Sequence, residues 1–173
     1  MEQLKTQRLI LRALTDNDTK AIFDLRSDPL TFKYVDIKPY ETLERASRFI
    51  KAVNKDIDMK EALFWGIEHR ADQVVIGTVC VWNYNENHTQ AELGYELNSK
   101  YYRQGYMKEA ITAVLEHLKQ LNQIKILDAI THEDNSPSLK LLEKQGFTCL
   151  GKAIDVDPEL DEPLEMLLFR INL

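Results

Sequence analysis

Leu97-Asn98-Ser99-Lys100-Tyr101-Tyr102-Arg103-Gln104-Gly105-Tyr106-Met107-Lys108-Glu109-Ala110 joins two segments of different period. A strand-like run, residues 91–97, enters this stretch, and a helical run, residues 108–121, leaves it. Between them lies a short loop with one glycine, Gly105. The N–H groups that open a helix lack intrahelical acceptors and sit at the positive end of the helix dipole, so such a loop can hold a phosphate. Taken alone, it reads sooner as a plain strand-to-helix turn that needs Gly105 for its backbone angles.

Outward from the join, short strand patterns alternate with helical ones. Residues 6–14 set Leu9, Leu11 and Ala13 on one face and Arg8, Ile10 and Arg12 on the other, which predicts a first strand. Thr15 to Asp18 offer N-caps for a helix carrying Ala21, Ile22 and Leu25, and Asp28-Pro29 ends it. Near Thr42 a second helix starts, with Leu43, Ala46, Phe49, Ile50 and Val53 at helical spacing. Residues 63–69 and 74–82, joined by the turn 70–73, read as a hairpin. Residues 91–97 form the fourth strand, 124–131 the fifth, 147–154 the sixth and 164–171 the seventh. Asn135-Ser136-Pro137 starts a helix that Gly146 stops. Hairpins mixed with two strand–helix units predict a mixed sheet and an α+β class.

The 173 residues are 44% hydrophobic and 29% charged, which predicts one globular domain over 1–173. No apolar run approaches the ~18 residues of a membrane span, so no membrane partner is expected. Residues 1–12 lack a signal-peptide core. Cys80 and Cys149 lie in apolar runs without CxxC or His-rich context, so they read as free thiols, with no metal site and a cytoplasmic setting. A net charge of −6 argues against a nucleic-acid partner and suits a cationic substrate.

Two pieces of the chain together carry a resemblance. One is Tyr102-Arg103-Gln104-Gly105-Tyr106-Met107 followed by Lys108-Glu109-Ala110; the other is Asn135 through Gly146-Phe147. With Arg8-Leu9-Ile10-Leu11-Arg12 and Ala91-Glu92-Leu93-Gly94-Tyr95-Glu96-Leu97, they resemble the GNAT superfamily of acetyl-CoA-dependent N-acetyltransferases. More narrowly, the chain looks like the Rim-type branch named for N-terminal acetylation of ribosomal proteins. The resemblance implies a GNAT fold: a mixed seven-stranded sheet, split between strands four and five, with about four helices. It implies acetyl-CoA as co-substrate, with the pantetheine arm in the split, paired to the fourth strand.

Site residues follow from that resemblance, position by position. Leu97 and Ser99 would line the pantetheine track with Glu96. Gln104, Gly105, Tyr106, Met107 and Lys108 would present backbone amides to the pyrophosphate. Met107 stands where the family usually has a small residue, which predicts less room there. Asn135 matches the asparagine that bonds the pantetheine arm, and it also suits a helix N-cap. Ser138 matches the branch's serine that serves the leaving thiolate, while Leu142 stands where many members have a tyrosine. For the base, Glu92 and Glu96 share one face of the strand by parity, opposite Leu93, Tyr95 and Leu97. The branch also implicates an acid beyond Gly146-Phe147, which falls at Asp157 beside Asp155; the alternative is a solvated acidic loop. His132, near the split, is a further base candidate or a plain loop histidine.

The activity implied is transfer of acetyl to a primary amine, a protein N-terminus or a small amine, by direct attack in a ternary complex. Neither a metal nor a cysteine relay is called for. A non-catalytic acyl-CoA sensor is the alternative, kept open by Met107 and Leu142. Dimers are common in the branch, so a homodimer is expected.

Overall fold

A computed structural model of the chain describes residues 1–31, 33–34, 38–155 and 163–173, with only the backbone of Asp155. The strands are β1 (Leu4–Lys5), β2 (Leu9–Arg12), β3 (Leu63–His69), β4 (Val74–Trp82), β5 (Gln90–Leu97), β6 (Ile126–Thr131), β7 (Thr148–Asp155) and β8 (Leu164–Asn172). The helices are α1 (Thr19–Arg26), α2 (Leu43–Asp58), α3 (Tyr106–Leu121) and α4 (Ser136–Lys144). The strands form a single sheet ordered β1-β2-β3-β4-β5-β6-β8-β7. Every pairing is antiparallel except β5 with β6, the one joint between the two halves.

Helices cover both faces of the sheet. On one face Leu9, Leu11, Trp65, Ile67, Val79, Val81 and Leu93 pack with Ala110, Ile111, Val114 and Leu118 of α3 and Leu142 of α4. On the other, Phe64 and Val75 pack with Ile22 and Leu25 of α1 and Ala46, Ile50 and Val53 of α2. Neighbouring residues such as Phe64 and Trp65 therefore enter different cores. This is why residues 63–67 and 74–82 read as near-continuous apolar runs: a strand covered on both sides has no solvent face to keep polar. Trp65 is fully buried, and its indole N–H donates to the Glu2 carbonyl at 2.9 Å.

The predicted first strand is shorter than the pattern suggested, and an eighth strand appears beside it. Its pairing covers only Leu9–Arg12, because the chain turns back at Thr6, whose amide donates to the Leu9 carbonyl and whose hydroxyl oxygen accepts the Leu9 amide. That turn lays Leu4–Lys5 antiparallel against Ile10 and Leu11. A two-residue strand carries too little period to be seen in sequence. The third helix begins two residues earlier than read, at Tyr106, because Gly105 is already its cap, with φ of 81°.

Polar ties secure the edges. Arg12 of β2 reaches Asp18 at 2.8 Å through two hydrogen bonds and also binds Glu68 of β3. Burial disfavours the Asp18 carboxylate, but bonds from the Arg12 guanidinium and the Thr15 amide outweigh it and hold Asp18 below the usual carboxylate range. A lowered folded-state pKa gives stability that is full above the ordinary value of 3.8 and lost as pH falls through the lower folded value. Asp18→Asn is expected to lower Tm at pH 7 and to flatten the loss of Tm between about pH 5 and pH 2, read by thermal melts across pH. In the sheet centre, a Cβ on Gly77 would lie 2.4 Å from the Glu96 carbonyl oxygen, in backbone that cannot yield cheaply. Gly77→Ala should therefore cost about 1–3 kcal/mol, seen as a fall in Tm of several degrees.

Candidate active site

The site starts from a parting of strands. β5 pairs with β6 only at Gln90, Ala91 and Glu92, opposite Ile126, Leu127 and Asp128. Beyond Glu92, β5 stays with β4 as far as Leu97, and β6 stays with β8 as far as Thr131. Residues 93–97 thus keep one partner strand and turn their other edge into the gap. An extended ligand can add to such an edge through main-chain hydrogen bonds. The register of β4 against β5 is unbroken, so strand parity holds. Leu93, Tyr95 and Leu97 face the α3 side, while Glu96 faces α1.

After Leu97 the chain makes one 3-10 turn, Ser99–Tyr101, which the Asn98 side chain caps by accepting from the Lys100 amide. Arg103 and Gly105 then take positive φ, 59° and 81°, before α3 begins. Among the described residues, no protein acceptor takes up the backbone N–H groups of residues 103–108. The first amide engaged is that of Glu109, bonded to the Gly105 carbonyl at 3.1 Å. The result is a row of open donors at a helix N-terminus, an arrangement suited to phosphate groups.

Met107 does not narrow this loop as expected. Its side chain is buried with that of Tyr106 in the α3 core, so only their amides face outward. The loop is also clamped from β2. Arg8 donates to the Gln104 carbonyl at 2.9 Å and to Glu109 Oε2 at 2.7 Å, and its guanidinium lies 4.3 Å from the Tyr106 ring centroid. Thr6 and the Arg8 amide bond the other Glu109 oxygen at 2.6 and 2.8 Å. The strand pattern placed Arg8 outward but gave no sign of this clamp, which spans 101 positions of chain.

Across the gap stands α4. Asn135 caps it, accepting the Ser138 amide at 3.3 Å, so the predicted cap role is realised and its side-chain NH₂ is left to donate elsewhere. Ser138 is buried, and its Oγ lies 2.7 Å from the Tyr95 hydroxyl on β5. Burial pushes the Tyr95 phenol up to about 12. Tyr95 was legible only as a residue opposite the glutamates; its partner on α4 was not. Leu142 is fully buried in the core. Gln145, just after α4, donates to the Lys108 carbonyl at 2.8 Å and ties the two helices together.

The carboxylate candidates separate. Glu96 is held by two hydrogen bonds from Arg26 of α1, one of them at 3.1 Å; Arg26 also bonds the Tyr40 hydroxyl and lies over the Phe49 ring. Glu92, half-buried at the vertex of the gap, accepts from Asn83 Nδ2 at 3.2 Å. Asp157 lies outside the described residues. His132 Nδ1 accepts the Asp134 amide at 3.1 Å, which puts the proton of the neutral ring on Nε2 and leaves no free lone pair. Cys80 donates to the Gly94 carbonyl, and burial pushes its thiol up to about 12; Cys149 is exposed on β7. Among the described residues, no three His, Cys, Asp or Glu side chains converge as metal ligands, and no helix is long and apolar enough to cross a membrane.

Residues 8–148 match the family model described as "Acetyltransferase (GNAT) domain". An uncharacterized N-acetyltransferase of Bacillus subtilis, YoaA, is 33% identical over 144 residues, 83% of this chain and 81% of that protein. The ribosomal protein uS5-alanine N-acetyltransferase of Escherichia coli is 25% identical over 162 residues, 88% of this chain and 81% of that protein. Among solved structures, a Vibrio cholerae protein named for ribosomal-protein-serine acetylation superposes with a TM-score of 0.87 at 27% identity, covering 99% and 98% of the two chains. Sheet, split, amide cradle and sequence agree: the chain is an N-acetyltransferase of the GNAT family.

Proposed function

We propose that the protein transfers an acetyl group from acetyl-CoA to a primary amine by direct attack in a ternary complex. One observation carries this reading: the open amide row of residues 103–108 lies at the end of the strand edge that β6 has abandoned. Acetyl-CoA supplies the activated acyl group when bound. The residues assigned to hold it are Leu97 and Ser99 along the strand, Gln104 to Lys108 through their amides, and Asn135 from α4. The β5 amides that face the gap are placed to stabilise an oxyanion. Ser138 serves the departing sulfur from the α4 side of the gap.

For the proton of the attacking amine, we assign Glu92, through water, ahead of Glu96. A carboxylate already bonded twice by a guanidinium is a poor proton acceptor, because protonation forfeits the ion pair. Glu96 then has a building role, fastening α1 to the cofactor strand. Asp157 keeps its place as the second acidic candidate. With the E. coli relative named for the alanine of a ribosomal protein, a protein N-terminus leads the acceptor classes, ahead of small amines. The high pKa of Cys80 supports transfer without a cysteine relay.

The deciding experiment is thiol release from acetyl-CoA over peptides with varied first residues and a panel of small amines. Turnover with a subset of acceptors is expected; coenzyme A binding with no turnover across the panel would favour the sensor. Gly105→Glu should weaken coenzyme A binding by at least about tenfold, measured calorimetrically. Space is not the obstacle there, since a Cβ at 105 would only approach Arg8 Nη2 at 3.5 Å. Gly105→Ala, with backbone strain but no charge, should weaken binding less. Glu92→Gln should lower kcat by about a hundredfold with little change in acetyl-CoA affinity. Glu96→Gln should lower Tm more, and kcat less, than Glu92→Gln does.

A further inference from the structure

Tyr95 and Ser138 stand on opposite sides of the gap. Tyr95 lies on β5 in the segment that has lost β6, and Ser138 lies in the first turn of the helix that follows β6. Their hydroxyls are 2.7 Å apart, a short bond between positions 43 apart in the chain. We propose that Tyr95 is a positioning residue for the acyl transfer: its O–H donates to Ser138 Oγ, which leaves the serine's own O–H to face the departing sulfur.

The donor direction follows from the chemistry of the two groups. A phenol is the stronger acid of the pair and its oxygen the weaker acceptor, so the favoured arrangement has tyrosine donating and serine accepting. Tyr95 is protonated throughout the neutral range and always has that proton to give. A serine that already accepts one bond is also a better donor of the next, since chained hydrogen bonds polarise one another. The Ser138 amide is bonded to the Asn135 side chain, which fixes the backbone from which the hydroxyl projects. The serine is thus held at both its main chain and its oxygen.

The step balances without a proton leaving Tyr95. The amine nitrogen bonds the acyl carbon, the C–S bond breaks, and its electron pair stays on sulfur. The amine gives one proton to the base. The Ser138 O–H bonds the new thiolate until it regains a proton from solvent. The inference rests on the reading of Ser138 as the residue facing the sulfur, and the test separates the two.

Tyr95→Phe, Ser138→Ala and the double variant are assayed for kcat, for KM and for coenzyme A affinity, with acetyl-CoA and an acceptor from the amine screen. Tyr95→Phe is expected to lower kcat by about tenfold while the acetyl-CoA KM and coenzyme A affinity stay within about twofold. The double variant is expected to be no slower than Ser138→Ala, because the tyrosine acts only through the serine. A wild-type kcat in Tyr95→Phe overturns the inference while leaving Ser138 in its role. So does a double variant slower than Ser138→Ala by the full factor of Tyr95→Phe, or a loss confined to Tm and cofactor affinity, which marks a structural tie. A wild-type kcat in Ser138→Ala removes the serine reading itself, and the inference with it. Should Tyr95→Phe fold poorly, 3-fluorotyrosine at position 95 keeps the shape and strengthens the donor. A raised kcat is then expected, and an unchanged one overturns the proposal.

Discussion

Every functional feature of this chain depends on the point where β5 and β6 stop pairing, at Glu92 and Asp128. Backbone N–H and C=O groups are obligatory hydrogen-bonding groups, and a sheet interior normally satisfies all of them. Here each of the two strands keeps an antiparallel partner on its outer side, β4 for one and β8 for the other. Both halves therefore hold together while the shared ladder is given up over residues 93–97. The gap so formed is a recess lined on one side by unpaired main chain, which suits an extended amide-rich arm better than a compact ligand.

Fixed charges brace the two approaches to that gap. On the loop side, Arg8 and Glu109 tie β2 to the first turn of α3 and hold the loop's carbonyl at Gln104. The arginine thus restrains the loop through a carbonyl and a carboxylate while the amides remain open. On the α1 side, Arg26 and Glu96 join α1 to β5, with Tyr40 and Phe49 packed around the guanidinium. Both pairs are partly screened from water, where losing one partner strands a charge and costs more than an exposed pair would. The two glutamates on one strand face differ in their surroundings: Glu96 is tied to α1 through the Arg26 guanidinium, and Glu92 sits at the vertex, where it accepts from Asn83.

Much of the architecture was legible because its signals are local. The periods of residues 63–69, 74–82 and 106–121, the cap at Asn135 and the stop at Gly146 all depend on neighbours within a few positions. Parity correctly opposed Glu92 and Glu96 to Leu93, Tyr95 and Leu97, since no bulge interrupts β5 against β4. The expected crowding by Met107 failed for a reason that spacing alone does not show. At the second position of α3 its side chain turns into the core, so a large residue there leaves the amide row open. The short strand Leu4–Lys5 was invisible because two residues carry no period, and the Thr6 turn that sets it is anchored on Glu109, 103 positions further along the chain.

The residues of the chain were enough for the element order apart from the short strand β1, for the mixed sheet and for the strand–loop–helix join at Gly105, because those rest on backbone preference or periodicity, properties a residue has with its immediate neighbours. The split came only with the family resemblance that the two motifs carry. The tertiary structure alone decided that Glu96 is paired with the Arg26 guanidinium and that Glu92 lies at the vertex. It also decided that His132 has no free lone pair, and that Ser138 meets Tyr95 rather than standing alone. Those outcomes are set by distances between groups far apart in the chain, where ångström differences choose the partner. Hydrogen bonds and ion pairs weaken too steeply with distance and angle for a residue's type to name its partner.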